Sequence, residues 1–106
     1  MLRKINLLLA EHDSDWIEVF EKEIHNDTRF IYLGQARTPE AVIEKAYDLE
    51  PDVVVMDIYF DHSSPREYGI QAARRIRIST GSKVVFFTNN DDTDLLLKAC
   101  KIGLAS

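Results

Sequence analysis

Pro51-Asp52-Val53-Val54-Val55-Met56-Asp57 is the stretch on which the reading of this chain turns. A proline stops the helical pattern before it, four apolar residues follow without alternation, and a carboxylate closes the run. Short continuous runs of this kind, flanked by polar residues, are strands buried on both faces, the type found in parallel sheets. Two other runs end in the same manner: Leu7–Ala10 passes into Glu11-His12-Asp13, and Val84–Phe87 into Thr88. The ligand crevice of an open parallel sheet lies at the carboxyl ends of its strands. If the three strands run parallel, Glu11, Asp57 and Thr88 converge there. Two acids and a hydroxyl in one crevice suit a hard cation and a phosphoryl group.

Helical patterns separate the strands. Ser14 is the expected cap of a first helix whose apolar face is Ile17, Phe20 and Ile24. Phe30–Leu33 follows as a second strand. Thr38-Pro39-Glu40 opens a second helix, with Thr38 as cap and Pro39 at the first helical position, where its missing N–H costs nothing. Val42, Ala46 and Leu49 are its apolar stripe. After Asp57, a polar stretch from Tyr59 to Tyr68 leads to a third helix with Ile70, Ala73 and Ile76 inward. Thr80-Gly81-Ser82 then turns into strand four. Asn90-Asp91-Asp92 caps a last helix carrying Leu96, Ala99 and Cys100, which Gly103 stops. The order βαβαβαβα predicts an α/β domain with right-handed crossovers and helices on both sheet faces.

At 106 residues the chain holds one domain, and its 45% hydrophobic and 29% charged content is ordinary for a soluble globular protein. The net charge of −5 argues against nucleic acid or an anionic membrane as the main partner of this segment. Arg74, Arg75 and Arg77 lie within a helical pattern and are read as a solvated face. Cys100 is the single cysteine, so no intrachain disulfide framework is expected and a reducing compartment is the default. No apolar stretch reaches the length of a membrane span.

The runs quoted above, together with Gly69-Ile70-Gln71-Ala72-Ala73-Arg74-Arg75-Ile76-Arg77 and Lys83-Val84-Val85-Phe86-Phe87-Thr88, resemble the response-regulator receiver domain of two-component signalling. The likeness covers essentially the whole chain and is greatest to regulators with a helix-turn-helix DNA-binding domain downstream. It implies a flavodoxin-like doubly wound parallel sheet in the order 2-1-3-4, with the fifth strand and fifth helix missing. Residues 1–106 would then form a receiver domain incomplete at its C-terminus. By the same resemblance Asp57 is the phosphoacceptor, charged by a sensor histidine kinase, and Thr88 donates its hydroxyl to the phosphoryl group and switches. Mg²⁺ would be held by Glu11, Asp57 and the backbone carbonyl of Tyr59, with His12 or Asp13 as further candidates. The implied module is cytoplasmic and not an enzyme beyond its part in its own phosphotransfer. It would act through a downstream output domain or a homodimer in transcription regulation, without itself touching nucleic acid or membrane.

The departures from the family are specific. His12 stands where a carboxylate normally binds the metal, and neutral imidazole is a poor Mg²⁺ ligand. The loop from Ile58 to Tyr68 is longer than usual, Asn89 stands where the family prefers a small residue, and the sequence ends at Ser106, before the strand on which the family carries the Lys that clamps the phosphoryl group. His12, Asn89 and the missing Lys favour an alternative, a phosphorylation-independent receiver kept as an interaction or dimerisation module, whereas the retained Asp57, Thr88 and Glu11 oppose it. A nucleotide or flavin enzyme on the same fold is disfavoured, because Glu11-His12-Asp13-Ser14-Asp15 repels phosphates where a Gly-rich turn would be needed. Strand four is too apolar for a bare sheet edge, and without a fifth helix Phe20 or Ile24 is expected to be partly uncovered.

Overall fold

The computed structural model describes residues 3–57 and 67–87. Among these residues seven elements follow one another: β1 (Ile5–Ala10), α1 (Ser14–His25), β2 (Phe30–Ala36), α2 (Pro39–Leu49), β3 (Val53–Asp57), α3 (Glu67–Thr80) and β4 (Lys83–Phe87). The four strands form one sheet in the order β2-β1-β3-β4, and every pairing is parallel. Tyr59, Thr88, Asn89 and the last expected helix lie outside the described residues.

Side chains of successive strand residues point to opposite faces, and this chain uses both. Leu7, Leu9, Val53, Val55 and Phe87 pack with Ile17, Phe20 and Ile24 of α1 on one face. Leu8, Ala10, Val54 and Met56 pack with Val42 and Ala46 of α2 and Ala72, Ala73 and Ile76 of α3 on the other. The uninterrupted apolar runs of β1 and β3 are thus explained: these are the two inner strands, covered on each side. Phe20 and Ile24, expected to be partly bare, are fully buried. Trp16, Tyr32, Ile5 and Phe87 fill the space around that helix face.

Several boundaries differ from expectation. Strand β2 runs on to Ala36, past a register shift at which Leu7 and Leu8 face Tyr32 and Gly34, so Leu33 is the extra residue. Gly34 has φ +131, a conformation that L side chains rarely adopt, and takes up the irregularity. The cap of α1 is Asp13 rather than Ser14: Asp13 is extended (φ −84, ψ 114), and its carboxylate accepts from the N–H groups of Asp15 and Trp16. Thr38 and Pro39 begin α2 as expected. Leu49 and Ile70, placed in apolar stripes by periodicity, are 43% and 44% exposed, because each lies at the margin of the strip that the sheet covers. Strand β4 is not buried on both faces. Phe87 is, but Phe86 is 40% exposed and Val84 and Val85 are only half-buried. The apolar sequence of β4 lies at the edge of the four described strands.

The ends of the strands opposite the carboxyl side are tied by Asp52. Its carboxylate accepts from the backbone N–H of Asn6 at 2.8 Å and from Arg3 at 2.6 Å, while its own N–H and C=O join Asn6 and Lys83. Ser82, buried at the turn before β4, donates its hydroxyl to the carbonyl of Pro51 at 2.6 Å. These contacts hold β1, β3 and β4 in register, and so bring their carboxyl ends level.

Candidate metal and phosphoacceptor site

Glu11 is the first residue beyond β1. Its N–H donates to the carbonyl of Ala36 at 3.1 Å, which fixes the backbone where the strand ends. Its side chain folds back under the following turn: Oε1 accepts from the N–H groups of His12 and Asp13, both at 3.0 Å. The carboxyl group is completely buried, and no hydrogen-bond donor reaches Oε2. Such a group is costly to ionise. Burial is the main cause that pushes the Glu11 pKa up to about 7. The Asp13 N–H works against the rise. The neighbouring Asp57 adds to it, by hydrogen bond and by charge, and the His12 N–H again lowers it.

Asp57 closes β3 and is buried, paired in register with Phe87 of β4. His12 lies at the rim, its side chain 27% exposed, with Nδ1 3.1 Å from Glu11 Oε1. One ligand atom from each of Glu11, His12 and Asp57 lies within 4.8 Å of the others. The expected convergence of Glu11 and Asp57 is therefore present, and the group can hold a metal ion. Asp13 stands apart from the trio, since its carboxylate caps α1. Thr88 and the carbonyl of Tyr59 lie outside the described residues.

One contributor escaped the sequence reading. Trp16, in the first turn of α1, stacks on Phe87 with ring centroids 4.5 Å apart and on Phe20 at 5.0 Å. Aromatic pairs of this kind add about 0.5–1.5 kcal/mol beyond area burial. Here they clamp the start of α1, and with it the Glu11–Asp13 turn, against the end of β4 beside Asp57. The i, i+4 spacing of Trp16 and Phe20 was the available signal.

The donor set is mixed. Two carboxylates suit a hard cation such as Mg²⁺, which takes oxygen ligands. An imidazole does not suit it. The fit to Mg²⁺ is thus incomplete at His12 alone.

The crystal structure of the response regulator domain of Thermotoga maritima CheB matches with a TM-score of 0.82 and 20% identity, covering 98% of each chain. The fold is that of a response-regulator receiver domain. Chemotaxis protein CheY of Thermotoga maritima is 26% identical over 97 residues, which cover 91% of this chain and 78% of that protein. Transcriptional regulatory protein YdfI of Bacillus subtilis is 22% identical over 80 residues, covering 76% of this chain and 36% of its own. The chain thus spans little more than a third of YdfI. No family model matches it. The sheet order β2-β1-β3-β4 is the part of that fold that the described strands supply.

Proposed function

We propose that the chain is a phosphoacceptor module of two-component signalling, in which Asp57 takes a phosphoryl group from a sensor histidine kinase. The observation that carries this reading is the buried carboxylate pair at the ends of the two inner strands, Glu11 and Asp57, with His12 beside them. A carboxylate held there attacks the phosphorus of a phosphohistidine in line. The P–N bond breaks as the acyl phosphate P–O bond forms, and the imidazole leaves with a proton. A divalent cation held by Glu11, His12 and Asp57 would offset the charge that gathers on the phosphoryl oxygens. This chain's residues supply the rest. The Asp13 cap and the Trp16 stack fix the turn that carries Glu11 and His12, and the sheet register fixes Asp57. Thr88, which directly follows Phe87 in sequence, is assigned the hydrogen bond to the phosphoryl oxygen, and the backbone carbonyl of Tyr59 a third oxygen on the cation.

The output follows by the same reading. Phosphorylation alters a surface read by a downstream output domain, as in transcription regulation, or by a second copy of the chain, in the cytoplasm. Among the described residues no helix is long and apolar enough to cross a membrane. The mixed donor set favours one alternative, a receiver that works as an interaction module without phosphorylation. Incubation with a small phosphoryl donor and a divalent cation, followed by mass spectrometry, separates the two. The phosphoacceptor reading requires one phosphoryl group on the parent and none on Asp57→Asn. An unmodified parent, tested with both Mg²⁺ and Zn²⁺, leaves the interaction module.

A further inference from the structure

We propose that the Glu11–His12–Asp57 group selects a borderline divalent ion of the Zn²⁺ class over Mg²⁺, with His12 as a direct nitrogen ligand; this rests on the reading of Asp57 as a phosphoacceptor whose chemistry needs a cation. Three observations carry it. First, the three donor atoms already lie within 4.8 Å of one another. Bonds of roughly 2.0–2.2 Å to a common tetrahedral zinc ion place ligand atoms about 3.5 Å apart, so closure asks the side chains to draw together by little more than about 1 Å. Second, Oε2 of Glu11 is fully buried and has no hydrogen-bond donor, whereas Oε1 already accepts two. Oε2 is therefore the atom whose lone pairs a cation satisfies, and Glu11 binds through one oxygen. Third, the group nearest the rim is an imidazole, partly exposed on the approach to the two buried acids.

The choice of ion follows from the donors. Mg²⁺ is bound largely by charge, dehydrates reluctantly and keeps oxygen around it. Replacing a third carboxylate by a neutral imidazole removes one negative charge from the site and offers a ligand that Mg²⁺ does not favour. Zn²⁺ accepts imidazole and carboxylate together, and reactive zinc sites commonly pair three protein ligands with an open position. Two ionised carboxylates also balance the double positive charge.

The test is calorimetric titration of the chain with Zn²⁺ and with Mg²⁺, using Co²⁺ absorption as a spectroscopic probe and Trp16 emission as a second signal. The parent is expected to bind Zn²⁺ at least about tenfold more tightly than Mg²⁺. His12→Ala should weaken Zn²⁺ by roughly tenfold or more, alter the Co²⁺ spectrum and leave Mg²⁺ within about twofold. His12→Asp should strengthen Mg²⁺. The side chain is partly exposed, so both variants are expected to fold, and circular dichroism checks it. An unchanged Zn²⁺ affinity and Co²⁺ spectrum in His12→Ala overturns the proposal, as does Zn²⁺ binding that survives both His12→Ala and Glu11→Gln, which places the ion at His25 or His62. The two readings fail separately. Zn²⁺ held through His12 without phosphorylation of Asp57 sinks the phosphoacceptor reading alone, and phosphorylation with Zn²⁺ indifferent to His12 sinks this one.

Discussion

Glu11→Gln should stabilise the metal-free protein, and by an amount that grows with pH. The carboxyl group of Glu11 is held at a pKa of about 7 against an ordinary value of 4.5. Below about pH 4.5 the group is protonated in both folded and unfolded chains, so it is indifferent to folding. Between 4.5 and 7 the unfolded chain releases the proton while the folded chain keeps it. The folded state then binds more protons, and stability falls as pH rises. Above 7 the penalty is complete. At roughly 1.4 kcal/mol for each pH unit between the two values, the ceiling is about 3 kcal/mol. That is a large part of the 5–15 kcal/mol typical of a domain. Gln reproduces the protonated acid: its carbonyl oxygen can accept from the His12 and Asp13 N–H groups, and its NH₂ can donate toward Asp57.

The assay is urea unfolding in chelator at pH 5 and pH 8, for the parent and for Glu11→Gln. At pH 8 the midpoint of the variant should lie about 1–3 M higher, given usual urea slopes for small proteins. At pH 5 the gain should shrink to roughly a quarter of its size at pH 8. Comparing two chains that differ at one residue cancels the titration of the remaining groups. A gain of equal size at both pH values, or no gain at pH 8, would refute the claim that an ionised, buried Glu11 destabilises the free site.

Three further outcomes follow from the packing. Phe87→Ala removes a buried ring that stacks on Trp16, so equilibrium unfolding should show a loss of about 3–5 kcal/mol and the Trp16 emission should shift to the red. Asp13→Ala should cost about 1 kcal/mol through loss of the α1 cap, with Zn²⁺ affinity in calorimetry falling less than in His12→Ala, because only the turn that carries the ligands is loosened; a loss as large as that of His12→Ala would return Asp13 to the ligand set. Glu50 ends α2 in the left-handed region at φ 49, so Glu50→Gly should raise the urea midpoint by the equivalent of up to about 1 kcal/mol.

The inner strands were legible because they are covered on both faces, which writes an unbroken apolar run into the sequence. Where a strand is covered less fully, the signal weakens. The second half of β2, Gly34-Gln35-Ala36, contains two residues of low β-propensity and is held by its ladder to β1 across the bulge. Leu49 and Ile70 have the right helical spacing, but a 3.6-residue period does not say how wide a strip the sheet covers. Asp13 and Ser14 are both good caps. What separates them is the backbone of Asp13, extended just before the helix begins, a distinction that adjacent residue types do not carry. Glu11 and Asp57 were legible as strand-terminal acids, whereas the burial that perturbs Glu11 depends on the turn folding over it.

That turn also explains why His12 matters more than its one substitution suggests. Three consecutive residues divide the work. Glu11 is spent downward, with its backbone on Ala36 and one oxygen under the turn. Asp13 is spent forward, on the first N–H groups of α1. Neither can swing to the rim without giving up a buried hydrogen bond or a helix cap, each worth about 1 kcal/mol. Asp13 would have to give up its helix cap to reach a cation beside His12. Among the described residues the donor at the mouth of the site is then His12, and an imidazole there would set the chemistry of a cation that joins Asp57.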